Sequence, residues 1–555
     1  VLFLLQKSRG FFAQKLTPFR LVFSSIKILF SALFIFSSIT LSYAQNNPRA
    51  LPSGGKVVAG SAVITQSGLQ TNINQSSQRA VVNWDSFNVG KDASVNFNQP
   101  NASAVTLNRV TGGSASVIDG AIRANGQVIL VNPNGVTFGR GAEINAAGVV
   151  ASTMNISDKD FMDGKSTFKG DGTGKILNEG KITATAAKGY IALLAPEVQN
   201  DGYLIAKMGP ASTVALASGQ QVTLDFRGDQ LISVKVDQGV VNGLIENKRL
   251  IKVDGGLVVI AAGAANQLMS SVIKNTGRIS ASAMVNNGGV IELVASTITQ
   301  AGKISANAKE ANGGKITLQG EDITLADNSQ TSATGATNGG LINVGTTKVT
   351  YTQNLDGTRT NVAAANLAKT VTVEGLAVVD ASSTTKGNGG EINIWSSVKT
   401  LVAGTFKAQG GSLGGNGGII ETSSNGILEI AKSVIVNVSA KLGKAGMWLL
   451  DPENMTIDAS TASAISGALA TSNVTIDVKG DLTVAAGASI SGAANTASGT
   501  ASSAASGTAS SASSSSSGTS TGTTLTLNAT GTITNNGAIT ATENGSIVLN
   551  AATVN

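Results

Sequence analysis

No histidine and no cysteine occurs anywhere in this 555-residue chain. The side chains that could do chemistry at neutral pH are therefore 33 acids, 39 Lys and Arg, and hydroxyls with no imidazole beside them. The His general base, the Cys nucleophile and the Cys/His zinc site fall away together. Carboxylate chemistry remains, and polysaccharide cleavage is its form most at home on a repetitive β scaffold. It needs carboxylates gathered across neighbouring elements, often with a Lys or Arg. The acids here are scattered at loop positions, and the segments between them are Thr, Ser and Val. Two glycine-rich stretches fail their motifs. Residues 170–175, GDGTGK, lack phosphate-loop spacing and any Ser or Thr after Lys175. Residues 414–418, GGNGG, lack the Asp of calcium-binding repeats. The reading is a non-enzyme: no catalytic residue, no metal and no cofactor is expected.

One cluster stands out for recognition rather than reaction. In GQVILVNPNGVTFGRGAEINAAGVVAST (126–153), Asn132-Pro133-Asn134-Gly135 interrupts an apolar run, although the chain has only 8 prolines. Pro fixes φ at the second turn position, Asn tolerates the third, and Gly is favoured at the fourth. Local chemistry makes it a tight corner between two strands. A partial echo occurs at Asn98-Gln99-Pro100-Asn101, followed by Asn108 and Arg109. Arg109, a lone cation in an apolar strand, is expected to pair with Asp85 or Asp119 in preference to a partner.

The elements that hold these corners are strands. Hydrophobic residues make up 42%, many of them Val and Ile, with 4% aromatic and 66 glycines, which suits stacked narrow layers. Runs such as KITATAA, YIALLAP and QVTLDF alternate between Gly/Asn/Asp turns, and no segment after residue 44 carries a long helical period. A Gly-Gly-x-Ile element recurs with its isoleucine at 291, 316, 342, 392 and 420, in steps of 25, 26, 50 and 28 residues. A period near 25 is one rung of a solenoid. The fold class is all-β, a right-handed parallel β-helix, in preference to a propeller, whose blades need longer strands and aromatic signatures. About 20 rungs at about 4.8 Å would give a rod on the order of 100 Å. Residues 344–370 read as a loop or hairpin inserted in the doubled step. Residues 485–523, almost purely Ala, Ser, Gly and Thr, read as a flexible excursion. Rungs then resume over 524–555 and end without a polar cap, as a fragment of a longer protein would.

Residues 1–44 read as a secretory leader with an extended charged front. Five Lys and Arg precede or flank an apolar core at 28–39, and Ser42-Tyr43-Ala44 offers cleavage before Gln45. That core is shorter than the roughly 20 residues a spanning helix needs. Removing the leader takes the net charge from +6 to +1, so the body has no basic stripe and no nucleic-acid partner is expected.

Residues 45 to about 240 closely resemble the secretion domain of two-partner-secretion exoproteins of the filamentous haemagglutinin-like family. The resemblance rests on VVNWDSFNVGKDASVNFNQPNASAVTLNRVTGG (81–113), the stretch around VNPNG, STMNISDKDFMDGKSTFKG and GYIALLAPEVQNDGYLIAKMG. Farther on, GMWLLDPENMTID (446–458) resembles a phrase of large members' bodies. It implies a secretion domain at 45–285 that caps the helix, β-helix repeats at 286–484 and an exported, surface-exposed Gram-negative adhesin. It also implies the Sec machinery, an outer-membrane β-barrel transporter (TpsB) with periplasmic POTRA domains, and a host-cell or carbohydrate receptor as partners. The family's second Asn-Pro motif is matched in full by Asn132, Pro133, Asn134 and Gly135. The first is matched in part by Asn98, Pro100 and Asn101, with Gln99 in place of an expected neighbour of the proline. A toxin, haemolysin or contact-dependent inhibitor built on the same secretion domain is the main alternative. A β-helix polysaccharide-degrading enzyme is a lesser one.

Overall fold

Short runs that alternate β-branched and small residues form strands, and each strand pairs in parallel with its equivalent one turn of chain later. The structure, a computed structural model, describes residues 47–170, 172–207, 209, 211–225, 233–263, 270–353, 359–492, 522–541 and 545–555. The expected leader, its cleavage site at Ala44 and Gln45, and most of the small-residue excursion lie outside these. The described chain winds as a three-sided parallel β-helix. The first side starts with Arg79–Trp84, Val105–Val110, Gln127–Val131 and Gly148–Ser152 and continues to Ser546–Asn550. The second starts with Ser116–Ile118, Val136–Phe138 and Lys175–Asn178. The third, a 14-stranded sheet, includes Gln70–Gln75, Ser94–Asn98, Ala121–Ala124 and Glu143–Ala146. The first two sides share one 27-stranded sheet, because the 12-residue strand Glu391–Val402 serves both.

The N-terminal end is closed by antiparallel pairing. Lys56–Ala59 runs against the strand at 79–84, and Ala62–Ser67 against Gln70–Gln75. This blunts the open edge that a parallel solenoid otherwise presents. Inside, equivalent residues stack: Ile122, Ile144, Ile182, Leu204, Ile251, Ile279 and Ile304 share one position on successive rungs. The Gly-Gly pairs turn the corner from third to first side. A Cβ on Gly288 would lie 2.0 Å from the carbonyl oxygen of Ala306, so no side chain fits there.

The doubled step of the repeat contains an antiparallel hairpin, Lys348–Gln353 with Arg359–Ala365. It lies on the outer surface of the first side, where Val362, Trp395, Met447 and Leu449 are buried together. Among the described residues, two helices depart from the all-strand expectation, α1 (Asp158–Met162) and α2 (Ala459–Leu469). In α2 the Asp458 side chain accepts the Thr461 N–H at 2.8 Å, and Ala462, Ile465 and Leu469 face the core. The helix occupies the chain position at which the third side would have a strand. Its Ala, Ser and Thr are the residues that also fill solenoid corners, so the sequence hides it.

A row of amides runs through the interior at the end of the second side. The Nδ2 groups of Asn178, Asn200 and Asn247 donate in turn to Asn200, Asn247 and Asn275 at 2.7 Å, and Asn275 donates to Gln300 at 2.6 Å. All five residues are buried. Each of the first four therefore presents a buried donor that the next rung, in register, satisfies. Asn247→Leu removes an acceptor from Asn200 and a donor from Asn275, at about 1–3 kcal/mol for each group stranded. Replacing all five amides with Leu strands no member of the row and takes one donor from the Gly302 and Gln330 carbonyls, which Gln300 also bonds. Urea unfolding of the secretion domain is expected to show the single variant less stable than the fivefold one.

Candidate functional site

The corner at 132–135 is built from its first residue. Asn132 is fully buried, while Pro133 and Asn134 are exposed. The Asn132 Nδ2 donates to the Ser114 carbonyl and to Ser116 Oγ, both at 3.0 Å. Its Oδ1 accepts from the Asn134 backbone N–H at 3.0 Å and from Asn134 Nδ2 at 3.2 Å. The Gly135 N–H closes the turn on the Asn132 carbonyl at 3.0 Å. Gly135 has φ 112°, and a Cβ on it would approach the Lys175 carbonyl to 2.8 Å. The turn is thus tied to the rung before it by Asn132 and packed on the rung after it at Gly135. Asn134 adds a third tie, from Nδ2 to the Gly112 carbonyl at 3.0 Å.

The partial motif turns on the residue that departs from the pattern. Gln99 is 6% exposed. Its Nε2 donates to the Ala104 carbonyl, to Thr106 Oγ1 and to the Gln127 carbonyl at 3.0–3.1 Å, and its Oε1 accepts the Gly126 N–H at 2.9 Å. One glutamine therefore links two rungs of the first side. Asn98 donates to Asn74 at 2.7 Å, Asn101 exchanges bonds with Gln78, and Pro100 is exposed. The two Asn-Pro corners are not brought together: 98–101 lies at the third-to-first corner and 132–135 at the first-to-second.

Asn108 points inward and accepts the Trp84 indole N–H at 3.0 Å. Arg109, its neighbour, points outward and corrects the expected pairing. It bonds Asp158 at 2.6 Å, and neither Asp85 nor Asp119. Its Nε reaches Asn155 Oδ1 at 2.9 Å, and Nη2 reaches the Ile156 carbonyl at 2.6 Å. The reason is an appendage that the linear sequence does not announce. Residues 152–169 fold back over the outer face of the first side, and at the start of α1 Ser157 Oγ accepts the Asp160 N–H and donates to the Asp160 carboxylate. Arg109 and Arg79 pin it there; Arg79 donates to the Phe161 carbonyl at 3.0 Å and stands 5.1 Å over that ring. Thr167–Lys169, Gln221–Asp225 and Ser233–Gln238 complete the cover as an antiparallel sheet. Under it lies a second apolar cluster that includes Leu107, Val131, Phe161, Phe168 and Leu194. The outer face of these rungs is therefore apolar and sealed.

Farther along, Asp451 of the GMWLLDPENMTID stretch is 4% exposed. Burial pushes its carboxyl up to about 7, against the pull of Lys479 and with a further push from Asp477 and Glu453. A carboxyl raised above its unfolded value holds its proton more tightly when folded. Its contribution to stability is full below about pH 4 and lost as pH rises through 7. Asp451→Asn is expected to raise the unfolding temperature at pH 8 and to leave it unchanged at pH 4, as thermal scans at the two values would read.

Residues 49–306 match the TPS secretion domain family. The chain is 36% identical over 267 residues to a heme/hemopexin-binding protein of Haemophilus influenzae Rd, a span of 47% of this chain and 29% of that protein. A second Haemophilus influenzae heme/hemopexin-binding protein is 32% identical over 259 residues, 43% of this chain and 28% of its own length. The chain thus spans under a third of these relatives. Among solved structures, the crystal structure of the HMW1 secretion domain from Haemophilus influenzae superposes with a TM-score of 0.58 at 28% identity. The match covers 72% of this chain and 100% of that one.

Proposed function

Because this chain belongs to the two-partner-secretion exoproteins, we propose that it is an adhesin of the filamentous-haemagglutinin type, delivered to the cell surface by its own outer-membrane transporter. In this reading the Sec machinery takes the leader, and the transporter's periplasmic POTRA domains receive the N-terminal domain. The observation that carries the reading is continuity. The first side of the β-helix runs from the capped secretion domain to Ser546–Asn550 with its ladder in parallel register throughout. A solenoid that continues beyond its secretion domain is a stalk, and a stalk projects a binding surface from the cell. Vectorial export fits the same construction. With no cysteine, no disulfide can lock the chain before it threads a pore. Each emerging rung can dock on its predecessor.

The adhesin reading does not draw on the haem and haemopexin binding that the relatives' names give. The chain has no His or Cys, the residues by which haem iron is most often held. The test is the behaviour of the secreted protein toward cells. Saturable binding to epithelial cells and agglutination of erythrocytes without release of haemoglobin is the expected result. Haemoglobin release or growth inhibition of neighbouring bacteria would replace the adhesin reading with the toxin one. Release of reducing ends from a polysaccharide would replace it with the enzyme one.

A further inference from the structure

The near-neutral net charge of the body conceals a local excess of cations on the third side. Its strands Leu250–Val253, Arg278–Ser280 and Lys303–Ser305 stack in parallel register, so Leu250, Arg278 and Lys303 fall in one column. Their neighbours Ile251, Ile279 and Ile304 are fully buried, and successive residues of a strand point to opposite faces. The column therefore faces outward. Arg278 and Lys303 stand one above the other, about 4.8 Å apart along the helix axis. Arg249, at the corner before the column, lies with its guanidinium 4.7 Å over the Tyr203 ring. Lys252 projects from the same face, two residues beyond Leu250. All four cations are exposed.

Like charges directly opposite one another on neighbouring strands destabilise a sheet. Elsewhere on the helix, outward cations are paired across neighbouring rungs: Lys175 with Glu197, Lys369 with Glu321 and Lys399 with Glu429. Among the described residues, Arg249, Lys252, Arg278 and Lys303 make no ion pair. Beside them, Lys248 and Lys274 share the single carboxylate of Glu246, at 3.1 and 3.9 Å. Asp201 and Asp254 stand only at the turns that bound the face. The fold gains nothing from this stack, whereas a partner that supplies the missing negative charge would.

We propose that this face docks on the phosphate-bearing outer leaflet of the membrane through which the chain is exported, with lipid A as the anion. The contact would hold the exported domain against the cell that released it. The inference rests on export across the outer membrane and is independent of adhesion.

Shape and chemistry separate a lipid surface from an acidic protein. The third side is a flat ladder whose register runs unbroken from Tyr203 to Lys303, so it meets a plane over several rungs. Its cations are unevenly placed, two in one column, one at the corner and one in the next column. Lipid headgroups move sideways to meet any such spacing, whereas a folded acidic surface must match it. Between the cations lie Tyr203, Ile205 and Leu250, all half-buried. Aromatic and aliphatic groups beside Lys and Arg suit the boundary between headgroups and acyl chains. Arginine adds a planar fork that takes two phosphate oxygens at once.

The test is co-sedimentation of the full secreted chain with phosphatidylcholine vesicles that contain or lack lipid A. Binding to the lipid A vesicles alone, lost at high salt, is expected. Arg278→Gln and Lys252→Gln should each weaken it about fivefold, the worth of one surface cation at an anionic leaflet. Lys303→Glu should weaken it at least about tenfold and also raise the unfolding temperature, because it turns a like-charge stack into an opposite-charge pair with Arg278. A residue kept only for the fold would not move the two readouts in opposite directions. Lys399→Gln, a paired cation outside the face, should leave binding unchanged. Equal binding to both vesicles, binding to neither, full affinity in Lys303→Glu or an equal loss in Lys399→Gln would each overturn the proposal. Binding to poly-L-glutamate and not to lipid A vesicles would assign the face to an acidic protein and overturn it too. Vesicle binding is read without transporter or host cells, so it can fail while the adhesin reading holds, and hold while that reading fails.

Discussion

Asn132→Ala is expected to cut export by at least about tenfold and to destabilise the N-terminal domain by about 2–5 kcal/mol. The loss comes from what the side chain leaves behind. Ser116 Oγ, 1% exposed, loses its donor from Asn132, and the Asn134 N–H loses the acceptor that shapes the turn. A buried polar group without a partner costs about 1–3 kcal/mol, and an unstable domain in the periplasm is removed by proteases. Asn134→Ile is the informative companion. Its side chain is exposed and makes one bond beyond the turn, to the Gly112 carbonyl. It too should reduce export, but urea unfolding of the domain should shift little. If both variants lose export and only Asn132→Ala loses stability, the outer surface of the corner is read by the transporter. If Asn134→Ile exports normally, the corner only holds the fold.

Arg109→Ala should release the appendage at 152–169 from the first side. Its guanidinium is 14% exposed at the side chain and serves Asp158, Asn155, Asn83 and the Ile156 carbonyl together. Asp158 is 45% exposed at its side chain, so the cost is that of hydrogen bonds to a charged group, about 1.5–3 kcal/mol, and not that of a buried ion pair. Arg109→Lys should not restore it, because an ammonium cannot present the planar fork that spans these acceptors. The measurement is limited proteolysis. In the alanine variant, cleavage should appear between 155 and 170 while the rungs stay resistant. Equal resistance in the variant and the wild type would show that the apolar cluster under α1 suffices.

How far the sequence reaches is decided by how local each signal is. The Asn132–Gly135 corner was legible because a turn is written in four adjacent residues. The rung was legible because Gly-Gly-x-Ile repeats at a step near 25, and at these third-to-first corners a Cβ on either glycine would meet the backbone of a neighbouring rung. The hairpin at 348–365 showed itself as a doubled step. The amide row did not. Its members are separated by 22, 47, 28 and 25 residues, and the irregular step contains the strands at 221–225 and 233–238. Arg109 pairs with an acid, as expected of a lone cation in an apolar strand, but which acid is hidden for a similar reason. Its partner lies 49 residues on, in an appendage outside the repeat, and Asp85 and Asp119 were only nearer in sequence. Gln99 looked like a broken motif, yet it is the side chain that ties two rungs. An asparagine precedes each of the five Gly-Gly-x-Ile elements, at 287, 312, 338, 388 and 416, and is readable by the same repeat.

The central claim is that this chain leaves the cell through a dedicated partner, and one measurement addresses it most directly. The full reading frame would be expressed in a Gram-negative host with and without its transporter, and the protein assayed in the medium and on intact cells by protease access. With the transporter, chain beginning at Gln45 should appear outside in protease-resistant form; without it, the same chain should stay in the periplasm. Equal export in both hosts, or retention in both, would contradict the account.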